Sequence, residues 1–249
     1  SLYGSDTTLA DFDGDRVPEI AIGRVPALVA EELSAYVAKV QAYESTDDEA
    51  WQARVQILSD RPDGVDDFSE VGEALSALLP VGYADDRVAL GSTEIAEARQ
   101  AVFDGLAEGT AWLHYTGHGG VDRMSSSGLL TSADVETLDN TLLPIVSSVT
   151  CHINHHSLPG FDSLGEHLVL RPQGGAIAVF APSWLVRHNR ASVVGDRLFR
   201  RVFQIEEPIL GEALRVALEQ AAGAGVDRGR RVQRASLGQR GAGDRDGGP

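Results

Sequence analysis

The residues with the clearest chemical potential are the only cysteine of the sequence, Cys151, and a histidine that stands among glycines, His118. A thiol becomes a strong nucleophile when it loses its proton, and a nearby imidazole can take that proton and stabilise the thiolate as an ion pair. His118 lies in the run Gly-His-Gly-Gly at 117–120, where glycine allows a sharp turn and close approach of a substrate. The pair predicts nucleophilic catalysis, with His118 as the base and Cys151 as the nucleophile.

Two further groups are expected to assist this pair. Acyl transfer needs hydrogen-bond donors for the developing oxyanion, and the backbone N–H groups of Gly119 and Cys151 are the candidates. A third group can orient the imidazole of His118, and Asp60 suits this role because it follows the first predicted strand of the main sheet. A carboxylate in this place can equally cap the turn that follows.

Strands and helices alternate along the chain, judged from apolar spacing and helix caps. Strands are expected at 19–24, 55–58, 87–90, 111–115, 143–149 and 176–181. Helices are expected at 29–43, 68–79 and 95–106, and around 191–203 and 208–221. A further helix is expected to begin at Ser163, which forms a capping box with Glu166. This alternation predicts an α/β fold with a mostly parallel sheet and helices on both faces. His118 and Cys151 both follow strands, and ligands of such sheets bind beyond the carboxyl ends of the strands.

The composition limits the classes of partner. The net charge of -16 makes nucleic acid and anionic membranes unfavourable partners, whereas cations and cationic substrates are favoured. The longest apolar stretch is too short to span a membrane. The chain is therefore expected not to bind nucleic acid and not to cross a membrane.

An acidic turn near the start of the chain has the spacing of a cation loop. Asp11, Asp13, Asp15 and Glu19 supply carboxylate oxygens around Gly14, and calcium binds such hard oxygen ligands. The loop is shorter than an EF-hand loop, and its glutamate comes earlier. Structural calcium is the hypothesis, and a solvated acidic turn is the alternative.

Five motifs, in this order along the chain, resemble those of the gingipain family of cysteine peptidases, which belongs to the same clan as the caspases. They are the stretch from Asp13 to Arg24, Tyr115 to Gly119, Pro144 to Cys151, Phe161 to Glu166, and Gly174 to Ala178. The resemblance covers residues 1 to about 203. It implies a secreted or cell-surface enzyme that cleaves protein or peptide substrates through a Cys–His dyad and a thioacyl-enzyme.

The resemblance also implies a division of the chain into parts. Residues 1–49 correspond to the C-terminal part of a smaller N-terminal α/β subdomain, and residues 50–221 to a caspase-like catalytic subdomain. Residues 222–249 depart from the family pattern. This tail contains eight glycines and six arginines in 28 residues and few large apolar side chains, a composition that predicts disorder.

Substrate preference is expected from the same resemblance. Gingipains select Arg or Lys through an acidic S1 pocket, and Asp67 lies in roughly the matching region, although it equally suits a helix N-cap. Trp184 follows the strand at 176–181 and is a candidate pocket wall or a core residue. The hypothesis is cleavage after basic residues.

Alternative functions come from the histidines and from the family. A zinc-dependent hydrolase could use His114, His118, His152, His155 and His156, since zinc binds imidazole, but a strand and its exit would not give the first two histidines the helical i, i+4 spacing. A surface transpeptidase or a non-catalytic, calcium-stabilised binding module is the other alternative.

Overall fold

The computed structural model describes residues 5–46 and 50–223. In chain order, the strands of these ranges are β1 (Arg54–Ser59), β2 (Ala84–Ala89), β3 (Trp112–Thr116), β4 (Gly119–Gly120), β5 (Arg123–Met124), β6 (Leu130–Thr131), β7 (Ile145–Val149) and β8 (Ala178–Phe180). The helices are α1 (Ala30–Glu44), α2 (Phe68–Ser76), α3 (Ile95–Glu108), α4 (Ser132–Val135), α5 (Leu164–Leu170) and α6 (His188–Phe199), and a last helix, α7, spans 210–223.

The main sheet has five parallel strands in the order β2-β1-β3-β7-β8. Its central strand, β3, pairs with β1 and β7, so the segments that follow these three strands meet at one edge. Asp60 follows β1, Gly117 and His118 follow β3, and Thr150 and Cys151 follow β7. The predicted mostly parallel α/β sheet is confirmed, with both candidate catalytic residues at its carboxyl edge.

Helices cover both faces of this sheet because successive strand residues point to opposite sides. On β3, Leu113 and Tyr115 pack in the cluster that contains α3 and α5. Trp112 packs in the second cluster, with residues of α2, α6 and α7. The predicted capping box at the start of α5 is also present, since Ser163 and Glu166 bond each other's backbone and side-chain groups.

The strand predicted at 19–24 does not form, and this prediction was wrong. Glu19 instead closes the acidic turn, because its N–H donates to the carbonyl of Ala10 and its carboxylate accepts from the N–H of Phe12. Ile20 and Ile22, whose alternation suggested a strand, are 49% and 38% exposed. Within the described residues this segment pairs with no strand, so the apolar alternation has no sheet to join.

A small antiparallel sheet of β4, β5 and β6 follows His118, and the sequence patterns did not predict it. Its strands have two residues each, which is too short for an apolar period to show. The N–H of Ser125 donates to the carbonyl of His118 at 2.9 Å. This sheet therefore fixes the chain on the far side of the histidine.

The described part ends within the predicted tail. Helix α7 includes residues 222 and 223, and the remainder of the predicted tail, 224–249, lies outside the described residues. The predicted boundary at 45–49 follows α1, and residues 47–49 also lie outside the described part. In the described ranges, no helix is long and apolar enough to cross a membrane.

Candidate active site

The loop that carries His118 is bonded to the strands on both sides. Asp60 donates its N–H to the carbonyl of Thr116 at 2.9 Å, and Gly117 donates its N–H to the carbonyl of Val149 at 3.2 Å. A Cβ atom on Gly117 would overlap the Cβ of Asp60, so only glycine fits here. The start of the loop that carries His118 is thus held by hydrogen bonds between segments of the neighbouring strands β1, β3 and β7.

The carboxylate of Asp60 fixes the backbone of the histidine loop. Asp60 is 5% exposed, and its Oδ2 accepts hydrogen bonds from the hydroxyl of Tyr115 at 2.9 Å and the N–H of His118 at 3.1 Å. Its Oδ1 accepts from the hydroxyl of Ser125 at 2.9 Å and the N–H of Arg61 at 2.8 Å. Burial and the negative charge of Asp60 raise the pKa of Tyr115 well above its usual value.

The imidazole of His118 bonds a different carboxylate, which corrects the expected role of Asp60. Nε2 of His118 lies 2.9 Å from Oδ2 of Asp63, and the ring stands edge-on to Phe68 with centroids 5.3 Å apart. The side chains of His118 and Asp63 are 59% and 28% exposed. Asp63 was missed because the only sequence signal was its place in a polar turn after β1, at the same edge of the sheet.

Cys151 lies against the histidine loop through its backbone. A Cβ atom on Gly119 would lie 2.8 Å from the carbonyl oxygen of Cys151 and would overlap Oγ1 of Thr150, so glycine is required for this approach. The thiol of Cys151 is partly exposed and donates to the carbonyl of Val186 at 3.7 Å. The structure thus brings the two loops together. In this arrangement the thiol of Cys151 is hydrogen-bonded to the carbonyl of Val186, and the imidazole of His118 is hydrogen-bonded to the carboxylate of Asp63. The oxyanion role of the Gly119 and Cys151 N–H groups stays a prediction.

The histidine-rich run after Cys151 packs on Trp184. The rings of His152 and His155 stand edge-on to Trp184, at 4.9 and 5.0 Å between centroids. The N–H of His152 also donates to the carbonyl of Trp184 at 3.4 Å. Burial, and to a lesser extent His155, lower the pKa of His152, which favours its neutral form. Trp184 therefore packs against the loop that follows Cys151. Its role as a pocket wall stays a prediction.

The histidines predicted as alternative zinc ligands are not assembled into a metal site. His114 is 1% exposed, its Nδ1 bonds the hydroxyl of Ser147 at 2.7 Å, and burial lowers its pKa to about 3. His118 lies beyond the end of the strand that buries His114. In the part of the chain that the structure describes, no group of histidines has a metal-binding arrangement.

Asp67 is the N-cap of α2. Its Oδ1 accepts hydrogen bonds from the N–H of Ser69 at 3.0 Å and from the hydroxyl of Ser69 at 2.6 Å. Both bonds use the same oxygen, so Oδ2 of Asp67 keeps its acceptor capacity. The cap interpretation of Asp67 is confirmed, and its contact with a substrate stays a prediction.

The acidic turn folds its carboxylates together. Asp11, Asp13, Asp15 and Glu19 each offer an oxygen, and these atoms lie within 4.8 Å of one another. Hydrogen bonds from backbone N–H groups hold the carboxylates in place, including one of 2.8 Å from Gly14 to Asp11. In residues 5–46 and 50–223 this is the one such group of ligands, and its all-oxygen donor set fits a hard cation.

Comparison with known proteins identifies the family. A family model described as peptidase family C25 matches residues 2–237. The chain belongs to peptidase family C25. No curated protein matches this C25 chain.

Solved structures share the fold of this C25 chain. It is similar to the crystal structure of the Arg-specific cysteine proteinase gingipain R (RgpB), with a TM-score of 0.77 and 16% identity, over 89% of this chain and 54% of that chain. It is also similar to the complex of the Porphyromonas gingivalis RgpB pro- and mature domains, with a TM-score of 0.76 and 17% identity, over 88% and 55%. The chain thus spans about half the length of the gingipain chains that it matches, and the predicted gingipain-like fold is confirmed.

Proposed function

We propose that this chain is the catalytic part of a secreted or cell-surface cysteine endopeptidase, with Cys151 as the nucleophile and His118 as the base. The observation that carries the proposal is the backbone contact between the two loops at the carboxyl edge of the sheet, where Gly119 lies against the carbonyl of Cys151. Membership of peptidase family C25 supports the reaction class. Protein or peptide chains are the proposed substrates.

The proposed reaction has two stages. The thiol of Cys151 gives its proton to the imidazole of His118, and the thiolate forms a C–S bond to the carbonyl carbon of the peptide. The N–H groups of Gly119 and Cys151 stabilise the oxyanion, and the imidazolium returns the proton to the leaving amine as the C–N bond breaks. Water then hydrolyses the thioacyl-enzyme, with His118 again as the base, and frees the thiol.

Specificity for a basic P1 residue is the finer part of the proposal. Asp67 has one carboxylate oxygen outside its helix cap, and the residue that follows it, Phe68, contacts the ring of His118. The strongly acidic composition favours cationic side chains, and gingipain R is described as Arg-specific. Trp184 is proposed as an apolar wall beside the cysteine loop.

Peptide cleavage tests the proposed function. Matched fluorogenic peptides with Arg, Lys, Gln or Leu at P1 are compared on the wild type and on Cys151→Ser. The proposal predicts cleavage after Arg and Lys by the wild type and loss of cleavage in the variant. Equal cleavage rates for basic and neutral P1 residues would contradict the proposed specificity. Unchanged cleavage by Cys151→Ser would contradict the proposed role of Cys151 as the nucleophile.

Calcium is proposed as a structural ion held by Asp11, Asp13, Asp15 and Glu19, whose donor chemistry and spacing fit it. The bound ion would neutralise part of the mutual repulsion of four carboxylates and would stabilise the turn. Calorimetric titration with millimolar calcium should give heat that disappears in Asp13→Asn. An exposed acid outside the turn, Glu31→Gln, is the matched charge control. Absence of heat with the wild type would contradict the proposal.

A further inference from the structure

The start of α6 lies at the candidate site, beside both of its loops. The carbonyl of Val186, two residues before the helix, accepts the hydrogen bond from the thiol of Cys151 at 3.7 Å. The first residue of the helix, His188, meets the ring of Phe68 edge-on with centroids 4.9 Å apart, and Phe68 in turn meets the ring of His118 at 5.3 Å. The start of α6 is therefore held close to both members of the proposed dyad.

Two exposed arginines belong to this first turn. Arg187 is the N-cap of α6, and the N–H of Arg190 donates to the carbonyl of Arg187 at 3.0 Å. Residues three apart in a helical turn are neighbours, so the two guanidinium groups can act on one ligand. Arg187 also directly follows Val186, whose carbonyl accepts from the thiol of Cys151. The two positive charges are thus placed at the rim of the candidate site.

These arginines lack the partners that other arginines of the chain have. Most arginines in the described ranges form ion pairs, for example Arg99 with Asp134 at 2.7 Å. In the part of the chain that the structure describes, neither Arg187 nor Arg190 forms an ion pair. The sequence has 37 acidic and 21 basic residues, so a shortage of carboxylates does not explain this.

The place of the two arginines on the helix is also unfavourable for stability. The N–H groups at the start of a helix carry partial positive charge, which favours acidic side chains there and disfavours basic ones. The first turn of α6 has no acidic residue, and Arg187 makes no side-chain capping bond within the described part. An anion placed here would meet two guanidinium groups and the positive end of the helix. The arrangement therefore suits the binding of a carboxylate better than it suits the stability of α6.

We propose that Arg187 and Arg190 form a subsite that binds an Asp or Glu side chain of the peptide substrate. This inference rests on the proposed function and names a second determinant of its substrates. A guanidinium group can donate two parallel hydrogen bonds to a carboxylate, so the subsite distinguishes an acidic side chain from an amide of the same shape. An extended peptide advances about 3.3 Å per residue, so arginines beside the thiol reach substrate residues within about three positions of the scissile bond.

The site then has determinants of opposite charge at the starts of two helices. Asp67, which is proposed to attract a basic P1 residue, precedes Phe68 at the start of α2. Arg187 precedes His188 at the start of α6, and the rings of Phe68 and His188 are in contact. A basic and an acidic side chain of one substrate would thus bind at the starts of different helices. The best substrates are expected to combine a basic P1 residue with an acidic residue nearby.

Peptide kinetics test the subsite. Fluorogenic peptides keep Arg at P1 and carry a single Glu, Gln or Lys at P3, P2, P1′, P2′ or P3′. At one of these positions, Glu should raise kcat/KM roughly 3-fold to 10-fold over Gln, mainly through a lower KM, as expected for exposed ion pairs that also form in the ground state. This gain should disappear in the double variant Arg187→Gln/Arg190→Gln and become a preference for Lys in Arg187→Glu/Arg190→Glu.

Arg87→Gln is the charge control, because Arg87 is an exposed arginine of β2, an edge strand that does not adjoin the strands before His118 and Cys151. This variant should keep the Glu preference of the wild type. The free energy of unfolding should not fall in Arg187→Gln/Arg190→Gln, since loss of basic groups from the start of a helix is favourable. Equal rates for Glu and Gln at every position, or a Glu preference that survives in the double variant, would overturn the proposal.

Binding to an inactive variant separates failure of the inference from failure of the proposed function. Fluorescence polarisation compares the affinities of Cys151→Ala for labelled Glu and Gln peptides of the same series. Cleavage by the wild type without any Glu preference would overturn the subsite and leave the peptidase intact. Absence of cleavage, with tighter binding of a Glu peptide that is lost when Arg187→Gln/Arg190→Gln is added, would contradict the peptidase and retain the subsite. Absence of cleavage with equal binding of both peptides would contradict both.

Discussion

At the scale of residues, two histidines four positions apart have opposite environments. His114 lies within β3, is 1% exposed and bonds Ser147, and burial lowers its pKa to about 3. His118 lies just past the strand and has a side chain that is 59% exposed. Only a partly accessible imidazole can exchange a proton with a substrate, so location relative to the strand end separates the two.

His114 should make the protein sensitive to acid. Between pH 6.5 and about 3 the unfolded chain binds a proton at His114 that the folded chain does not, so the free energy of unfolding falls as the pH falls. The contribution is about 1.4 kcal/mol for each pH unit inside this window. Urea unfolding at pH 4.5 and pH 6.5 should therefore show a smaller difference for His114→Asn than for the wild type. An equal difference in the two proteins would contradict a neutral buried imidazole.

The sequence predicted which residues carry the candidate chemistry better than it predicted their partners. Cys151 and His118 could be selected as candidates because of their residue types and because each comes just after a predicted strand. The contact of Asp63 with the His118 ring joins residues 55 positions apart and depends on the conformation of one polar turn. The strand pattern places Asp60 at the correct edge, but whether it meets the ring or the main chain could not be read from the sequence.

At the scale of elements, the start of α2 lies beside the candidate site. Asp67 caps this helix through Ser69, and Phe68, its first residue, touches the rings of His118 and of His188 on α6. A cap satisfies N–H groups that the first turn of a helix leaves unbonded. The same aspartate can therefore stabilise α2 and, through its other oxygen, attract a cationic substrate.

Two substitutions of Asp67 should separate these roles. Asp67→Ala removes both the cap and the charge, and it should lower the free energy of unfolding by about 1 kcal/mol. Asp67→Asn keeps a capping oxygen and should retain most of the stability, while the ratio of kcat/KM for Arg over Gln at P1 falls about 10-fold or more. Urea unfolding and peptide kinetics measure the two effects. A preserved Arg preference in both variants would contradict the substrate role of Asp67.

Helices and strands could be predicted from the sequence where the apolar residues follow one clear spacing, either that of a helix or that of a strand. The main strands and α1, α3 and α5 have clear patterns and lie near their predicted places. The strand predicted at 87–90 is observed as Ala84–Ala89: it begins three residues earlier and ends one residue earlier. Its first four residues include three charged ones and lie at an edge of the sheet, so they show no apolar pattern. The segment at 19–24 resembles a strand in its apolar pattern, but strand pairing depends on a neighbouring strand that the local pattern cannot reveal.

At the scale of the whole molecule, the only lysine of the sequence joins α1 to the part of the chain that contains the candidate site. Lys39 on α1 is 7% exposed, and its ammonium group donates to the carbonyls of Leu168, Val169 and Arg171 at 3.3, 3.1 and 3.0 Å. These carbonyls lie at the end of α5, where a helix leaves acceptors unbonded. Helix α5 begins beside the cysteine loop, since the N–H of Gly165 donates to the carbonyl of Ile153.

Removal of this ammonium group should loosen the junction. Lys39→Met keeps much of the aliphatic stem and deprives buried carbonyls of their donor, which should cost about 1–3 kcal/mol in the free energy of unfolding. The matched variant Gln41→Met changes an exposed polar residue of the same helix and should stay within about 0.5 kcal/mol of the wild type. Urea unfolding compares the three proteins. Equal midpoints for the two variants would contradict the anchoring role of Lys39.

The central claim is that Cys151 acts as a nucleophile activated by His118, and covalent labelling tests it most directly. The wild type and His118→Ala are each treated with a chloromethyl-ketone peptide with Arg at P1, in calcium, and the modified residue is located by mass spectrometry. We expect a single adduct on Cys151 of the wild type that is lost in His118→Ala. No adduct on the folded wild type, or an equal adduct in the variant, would contradict the claim.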